Sequence, residues 1–400
     1  MMAEAADRHP PVPTAVTVPV THTGGQYAIR IETGRYRSLG ETLHQTFGDR
    51  PRAVVIVSNP RVARHYAAAV VERVAAAGFH PHLCLIPDGE RYKTLRTVAR
   101  IWDFCVARRI ERRDLLVALG GGVVGDITGF AAATYLRGLA FVQLPTTLLA
   151  MIDSAVGGKT GINHRAGKNL IGAFHQPALV VADLETLTTL PRREWNAGWH
   201  EAIKYGVIRD ADLFARLEAR LPLALNQPLP WDWLAAVVAD CCRIKAAIVA
   251  RDERETGERK VLNFGHTVGH ALEAVTCYRR FRHGEAVGIG MVAASQMAVR
   301  LGKLAPDEAQ RLEQLVRRVG RMPGTDGLTV AALLEALRHD KKVSQGQLRF
   351  ILPSRIGSAE EYRGSVEDVL PAALADTLAR FSRRQPGDRP PPEAESGPEN

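Results

Sequence analysis

Between residues 27 and 185 the chain alternates two kinds of apolar pattern. Short runs rich in β-branched residues fall at 27–31, 53–57, 81–86, 115–119, 141–144 and 179–182. Between several of them the apolar positions recur at helical spacing, as at 65–77 and 97–107. Short strands apolar on both faces, joined by helical crossovers, predict a mostly parallel sheet covered by helices. Beyond Pro191 the β signal fades. Residues 195–208, 234–250, 267–276, 285–301, 307–319 and 330–337 read as amphipathic helices, and only LRFILPS at 348–354 looks β-like. The pattern therefore predicts an α/β domain over residues 26–188 and an all-α domain over 189–382, with the cleft between them the natural place for a site. Residues 1–25 hold four prolines and little periodicity, and 383–400 hold five prolines and no large apolar residue. Both ends are predicted to be disordered extensions. No internal repeat is visible.

Composition narrows the class without changing that picture. With 400 residues, 46% hydrophobic and 24% charged, the chain is no disordered, collagen-like or disulfide-scaffold protein. No apolar run approaches the ~20 residues of a membrane span, and the N-terminus lacks the cationic head and apolar core of a secretory signal. Five cysteines with no CxxC pair fit a reduced, cytoplasmic chain. The net charge of +9 is spread without a run of five cations, which favours small anionic partners over nucleic acid or membrane. There are 43 Arg and only nine Lys, and seven of those lysines (93, 159, 168, 204, 245, 341 and 342) fall in the motifs below. A compact point charge with a movable pKa is something Arg does not supply.

The run at 115–119 leads into GGGVVGD at 120–126, a strand feeding a glycine turn and then a helix. Such a turn lets a pyrophosphate approach the backbone at a helix N-terminus, which makes the α/β half a nucleotide-binding domain. Neither GxGxxG nor GxxxxGK[ST] is present, so a P-loop enzyme is disfavoured. DGERYK at 88–93 and PTT at 145–147 follow other strands, where a charged turn and a helix cap are the plain alternatives. The stretch from Asp153 through VGGKT to Gly167, Lys168 and Asn169 combines glycines, two lysines and an amide, a set suited to a phosphorylated ligand. In the helical half, His266 and His270 are four apart on one helix face, His283 follows, and Glu201 and Lys204 share another face. A His, His, Glu set with open positions is the pattern of a catalytic zinc site. Spacing alone names both His266 and His270 as ligands.

Together with EAIKYG at 201–206, DERETG at 252–257, NFGHTVGH at 263–270, HGEAV at 283–287 and DKKV at 340–343, these motifs closely resemble the 3-dehydroquinate synthase family, in the same order over residues ~27–380. They reach the wider sugar-phosphate cyclase superfamily as well. The resemblance implies conversion of 3-deoxy-D-arabino-heptulosonate 7-phosphate to 3-dehydroquinate and phosphate in the shikimate route, by transient NAD-dependent oxidation, phosphate β-elimination, re-reduction and intramolecular aldol closure. It implies NAD and a divalent metal, zinc or cobalt. Carried over by position, Glu201, His266 and His283 hold the metal, and His270 contacts substrate instead. NAD falls to Asp88, Gly89, Glu90, Arg91, Tyr92 and Lys93, to Gly122, Val123, Val124, Gly125 and Asp126, to Thr146 and Thr147, to Lys159 and Lys168, and to Thr186, Leu187, Thr188 and Thr189. The substrate site falls to Asp153, Lys159, Asn169, Lys204, Lys245, Arg259, Asn263 and Lys341, with Lys342 an alternative to the last. Arg137 matches an arginine that reaches a neighbouring subunit's site, which implies a homodimer. Trp199 and His200 depart from the family pattern, where smaller or aliphatic residues are expected before the glutamate. Rival readings are an amino-dehydroquinate synthase or another secondary-metabolic cyclase, a metal-dependent alcohol dehydrogenase on the same plan, and an inactive nucleotide-binding regulator.

Overall fold

The strands are β1 (Val16–His22), β2 (Gly25–Glu32), β3 (Ala53–Ser58), β4 (His80–Leu85), β5 (Leu115–Gly120), β6 (Ala140–Pro145), β7 (Lys159–His164), β8 (Gly167–Phe174) and β9 (Leu179–Asp183). Seven form one sheet in the order β1-β2-β9-β6-β5-β3-β4, parallel throughout except for β1, which runs antiparallel to β2 at the edge. The computed structural model describes residues 15–48, 52–338, 343–344 and 347–383. Alternation along each strand loads both faces. Val54 and Ile56 pack under α1 (Leu39–Phe47) and α2 (Pro60–Ala76), whereas Val55 and Val57 pack under α3 (Leu95–Ala107) and α4 (Gly122–Thr134). The chain passes from β3 outward to β4 and then returns to β5 on the other side of β3. That reversal opens a crevice at the carboxyl ends of β3 and β5, where ligands bind in such sheets.

The helical half contains α5 (Arg192–Arg209), α6 (Ala211–Arg220), α7 (Trp231–Arg251), α8 (His266–Val275), α9 (His283–Arg300), α10 (Pro306–Arg318), α11 (Val330–Arg338) and α12 (Leu370–Phe381). Every residue of α5 from 195 to 208 is buried, so this helix is the axis of the half.

Two expectations need correction. Residues 16–22 are not a disordered extension: Val18 and Val20 point inward while Thr17 and Pro19 face out, and Pro19 is tolerated because β1 is an edge strand. The helical half is not all-α, since Phe350–Arg355 and Ser358–Tyr362 form a hairpin. Within and beyond the 153–169 stretch, β7 and β8 form a hairpin that pairs across Gly161 and Gly172. A Cβ on Gly172 would lie 2.1 Å from the Thr160 carbonyl, so only glycine allows that approach. The core also crosses residue 188. α7 packs on β1 and β2, and one apolar cluster runs from Val18, Val20 and Ile29 into Val238, Cys242 and Ile248. The proline-rich ends, 1–14 and 384–400, and Lys341 and Lys342 lie outside the described residues.

Candidate active site

Glycines bring the three metal candidates together. His266 and His283 are the first residues of α8 and α9. A Cβ on Gly290 would lie 2.0 Å from the Gly265 carbonyl, and one on Gly284 would lie 2.0 Å from the Ala197 carbonyl. α9 therefore touches both α8 and α5 backbone to backbone. Glu201, fully buried on α5, faces both imidazoles, and His266 Nε2 and His283 Nε2 each lie 3.6 Å from its Oε1. A tetrahedral ion with ~2.05 Å bonds has ligand atoms ~3.4 Å apart, so the spacing suits a metal. Glu201 Oε1 accepts no hydrogen bond among the described residues, an expensive state for a buried carboxylate that a cation would relieve. The other ring nitrogens are occupied: His266 Nδ1 faces the Phe264 carbonyl at 3.1 Å, and His283 Nδ1 faces Glu273 Oε2 at 3.2 Å. With those nitrogens protonated, the Nε2 atoms are the ones that would present lone pairs to a metal. His270 lies one turn along α8, its ring 5.5 Å from that of His266 and 5.9 Å from that of His283. It also belongs to a second group, His270, Glu273 and His283, whose ligand atoms come within 4.8 Å of one another.

Around this set lies a web of cations. Lys204 Nζ, on a side chain 1% exposed, is 2.6 Å from Glu201 Oε2. Burial works against its charge, but Glu201 and Asp153 outweigh that and raise its pKa. Lys245 Nζ donates to the Asp153 carbonyl at 2.7 Å and to its carboxylate, which also accepts from Tyr205 at 3.0 Å. Burial would raise the Asp153 carboxyl, yet Lys245 and Lys204 hold it well below the usual range. Lys245 itself is lowered, by burial first and then by Arg259 and Lys204, which Asp153 only partly offsets. Arg259 is buried, donating to the Gly157 carbonyl at 2.9 Å and to that of Glu253. Lys159 and Asn263 meet on one carboxylate, Glu255, with Asn263 Nδ2 2.7 Å from Oε1.

The cofactor candidates line the carboxyl edge of the parallel sheet. The loop after β4 places Asp88, which accepts from Asn59 Nδ2 at 3.0 Å, and Glu90, which accepts from Asn163 at 2.8 Å, with Gly89, Arg91 and Tyr92 between and beyond them. Gly122 to Asp126 open α4; the N–H groups of Gly122, Val123 and Val124 precede its hydrogen-bond ladder, which starts with Gly125 N–H to the Gly121 carbonyl at 3.1 Å. A Cβ on Gly122 would come 2.8 Å from Ser154 Oγ, and one on Gly121 3.1 Å from Thr147 Cγ2. This bare backbone at a helix N-terminus, on the strand reversal, fits a dinucleotide pyrophosphate. Thr146 and Thr147 follow β6, and Thr186 to Thr189 follow β9, where Tyr66 donates to the Thr186 carbonyl at 2.9 Å. Lys93 is buried, and its ammonium bonds both Asp126 and Asn169. Burial opposes that charge, but Asp126 and Glu90 prevail and raise its pKa.

Two assignments sit differently from their sequence grouping. Lys168, expected at the cofactor, bonds Glu273 at 3.0 Å beside the metal set, and Asn169, expected at the substrate, bonds the cofactor-side Lys93. Arg137 is exposed at the far end of α4, about 20 Å along the helix from Gly122. Trp199 and His200 point away from the site: Trp199 stacks on Trp195, and His200 is buried with Nε2 3.2 Å from the Val316 carbonyl. Sequence reasoning missed Glu273 and Glu255. A glutamate on a helix and one in a charged turn look like solvated surface. The only signal was position: Glu255 lies inside DERETG, and Glu273 lies three residues beyond NFGHTVGH.

A mostly parallel sheet with a glycine turn at its reversal, backed by helices that converge a Glu–His–His set on buried lysines, is a plan this chain shares with solved sugar-phosphate cyclases. Among solved structures, 2-deoxy-scyllo-inosose synthase complexed with carbaglucose-6-phosphate, NAD+ and Co2+ superposes with a TM-score of 0.82 at 25% identity, covering 90% of this chain and 100% of that one. The 2-epi-5-epi-valiolone synthase of Streptomyces hygroscopicus, with NAD+ and Zn2+ bound, gives 0.78 at 29% identity, covering 88% and 97%. The family models for the N-terminal and C-terminal parts of 3-dehydroquinate synthase match residues 83–197 and 198–343. The 3-dehydroquinate synthase of a Synechococcus strain is 51% identical over 346 residues, 86% of this chain and 94% of that relative. The chain belongs to the 3-dehydroquinate synthase family.

Proposed function

We propose that the chain converts 3-deoxy-D-arabino-heptulosonate 7-phosphate to 3-dehydroquinate and phosphate, as a phosphate-eliminating carbon–oxygen lyase of the shikimate route. One observation carries this: the Glu201–His266–His283 donor set shares a buried wall with Lys204, Lys245 and Arg259, cations suited to a substrate bearing both a carboxylate and a phosphate. The glycine turn and the sheet edge would hold NAD, and Glu201, His266 and His283 would hold a divalent cation, zinc or cobalt. Bound there, NAD supplies a hydride acceptor restored within the turnover, and the cation polarises the carbinol oxygen.

The remaining work falls to the chain. Lys204, Lys245 and Arg259 crowd like charges in a buried space, so a dianionic substrate relieves their repulsion and counters the lowering of the Lys245 pKa. Glu255 keeps Lys159 and Asn263 aimed until substrate arrives. We assign proton transfer to His270, one turn from His266. Arg137, exposed and remote from its own site, is suited to reach the site of a second copy, so we read the enzyme as a homodimer. Five free cysteines fit the cytoplasm, and no described helix is long and apolar enough to cross a membrane. The metal-loaded chain, given the heptulosonate phosphate and substoichiometric NAD, should release phosphate and 3-dehydroquinate one for one. Absence of phosphate release, or turnover confined to an amino-substituted analogue, rejects the proposal.

A further inference from the structure

Outside the site just described, a cavity of about 350 Å³ opens where four segments meet: the first turn of α5, the turn after α8, the loop after α10 and the end of α12. None of the residues gathered around Glu201 lines it. Its wall carries four guanidiniums, Arg193, Arg280, Arg321 and Arg383, against a single carboxylate, Asp326. Two of the four are oriented by neutral acceptors. Arg280 Nη1 donates to the Asp326 carbonyl at 2.8 Å, and Arg383 Nη2 to the Met322 carbonyl at 2.7 Å. A carbonyl fixes the plane of a guanidinium without cancelling its charge. Arg193 is held in a two-pronged pair with Glu285, at 2.7 Å from each carboxylate oxygen, and also reaches the Arg280 carbonyl at 2.6 Å. Asp326 is engaged locally, its Oδ1 accepting from Ser382 at 2.6 Å and from the Arg383 N–H at 3.0 Å. The result is a concave surface with several pre-aimed N–H donors and an excess of positive charge. Planar guanidiniums in such an array match the oxygens of a phosphate or carboxylate.

We propose that this cavity is a binding site for a small anion carrying a phosphate or more than one carboxylate, separate from the catalytic groups. Its volume admits a metabolite-sized molecule. Its placement gives it a route to the metal set, because Arg193 also holds Glu285, two residues along α9 from His283. Oxyanions could come from two sources, a free small molecule or the chain's own acidic end, where Asp388, Glu393, Glu395 and Glu399 follow Arg383 in sequence. Inorganic phosphate is the probe, titrated calorimetrically into the full-length protein at low ionic strength. An Arg321→Gln/Arg383→Gln double variant should weaken one class of phosphate binding at least tenfold, and Lys159→Gln should leave that class intact. A melting scan of the double variant, matching the parent without phosphate, separates lost binding from lost folding. In a variant with the four tail acids replaced by amides, unchanged affinity assigns the cavity to a free anion, and a several-fold gain assigns it to the tail. If the double variant binds phosphate as the parent does, the proposal is wrong.

Discussion

Removing the Glu273 carboxylate should loosen the metal without touching a ligand. Glu273 is 3% exposed and serves two groups at once, His283 Nδ1 at 3.2 Å and Lys168 Nζ at 3.0 Å. Burial opposes its charge, yet the hydrogen bond and charge of His283, with Lys168, hold its pKa at about 2, so it is ionised at any working pH. In Glu273→Ala, His283 loses the acceptor that fixes its tautomer and ring plane. Lost outer-shell partners of this kind cost ~10–100-fold in metal affinity, or about 1.4–2.7 kcal/mol. Lys168 keeps access to water, its side chain being 28% exposed, so a stranded buried ammonium adds little to the damage. His266 is anchored by a backbone carbonyl and is unaffected. Glu273→Gln retains an oxygen acceptor and should fall between Ala and the parent. Zn2+ affinity is to be read by competition with a chromophoric chelator, with melting of the metal-free proteins recorded alongside. Parent-like affinity in Glu273→Ala would refute the reasoning. So would equal metal loss in both variants accompanied by an equal fall in the metal-free melting temperature, because the effect would then be on folding.

His266→Ala should purify poor in metal and inactive, whereas His270→Ala should keep close to one metal per chain and lose ~10²–10⁴-fold in rate; equal metal loss from both, by elemental analysis, returns His270 to the ligand set. During turnover no NADH should accumulate, and a nicotinamide absorbance rising in step with product marks a plain dehydrogenase instead. Gly284→Ala should destabilise by about 1–3 kcal/mol in denaturant titrations and lower metal content, since its methyl collides with the Ala197 carbonyl and drives His283 away from Glu201. Burial pushes His200 down to about 4, so the fold holds the neutral ring. Its stabilisation is complete above the unfolded pKa of ~6.5 and falls by up to ~1.4 kcal/mol per unit as pH drops toward 4. The stability difference between the parent and His200→Gln should shift by about 2 kcal/mol between pH 7 and pH 5, and a pH-independent difference contradicts the assignment.

Periodicity exposed most of the scaffold because the strands of the main sheet are apolar on both faces and the helices are amphipathic. It failed where local composition argues against order. β1 sits among prolines, and its two inward valines are covered by α7, far away in sequence. β7 and β8 are rich in glycine and polar residues, and pair because the glycines allow their backbones to approach. The metal set was legible as three residue types but not as a choice. His266 and His270 are equivalent by spacing, and the approach of α5 to α9 puts Glu201 opposite His266 and His283. Glu273 and Glu255 act through partners that only the tertiary fold supplies.

The packing of β1 on α7 also fixes an order of events during synthesis. More than 200 residues separate the two elements. At ~5–20 residues per second, the first strand is made about 10–40 s before the helix that buries it. Through that interval the parallel sheet can form, but its β1–β2 edge keeps Val18, Val20 and Ile29 uncovered. The α/β half therefore leaves the ribosome as an unfinished body, sticky along one edge, and is completed by the same helix that delivers Lys245. The protein gains Lys245, the partner of Asp153, and seals that early exposed surface in one step.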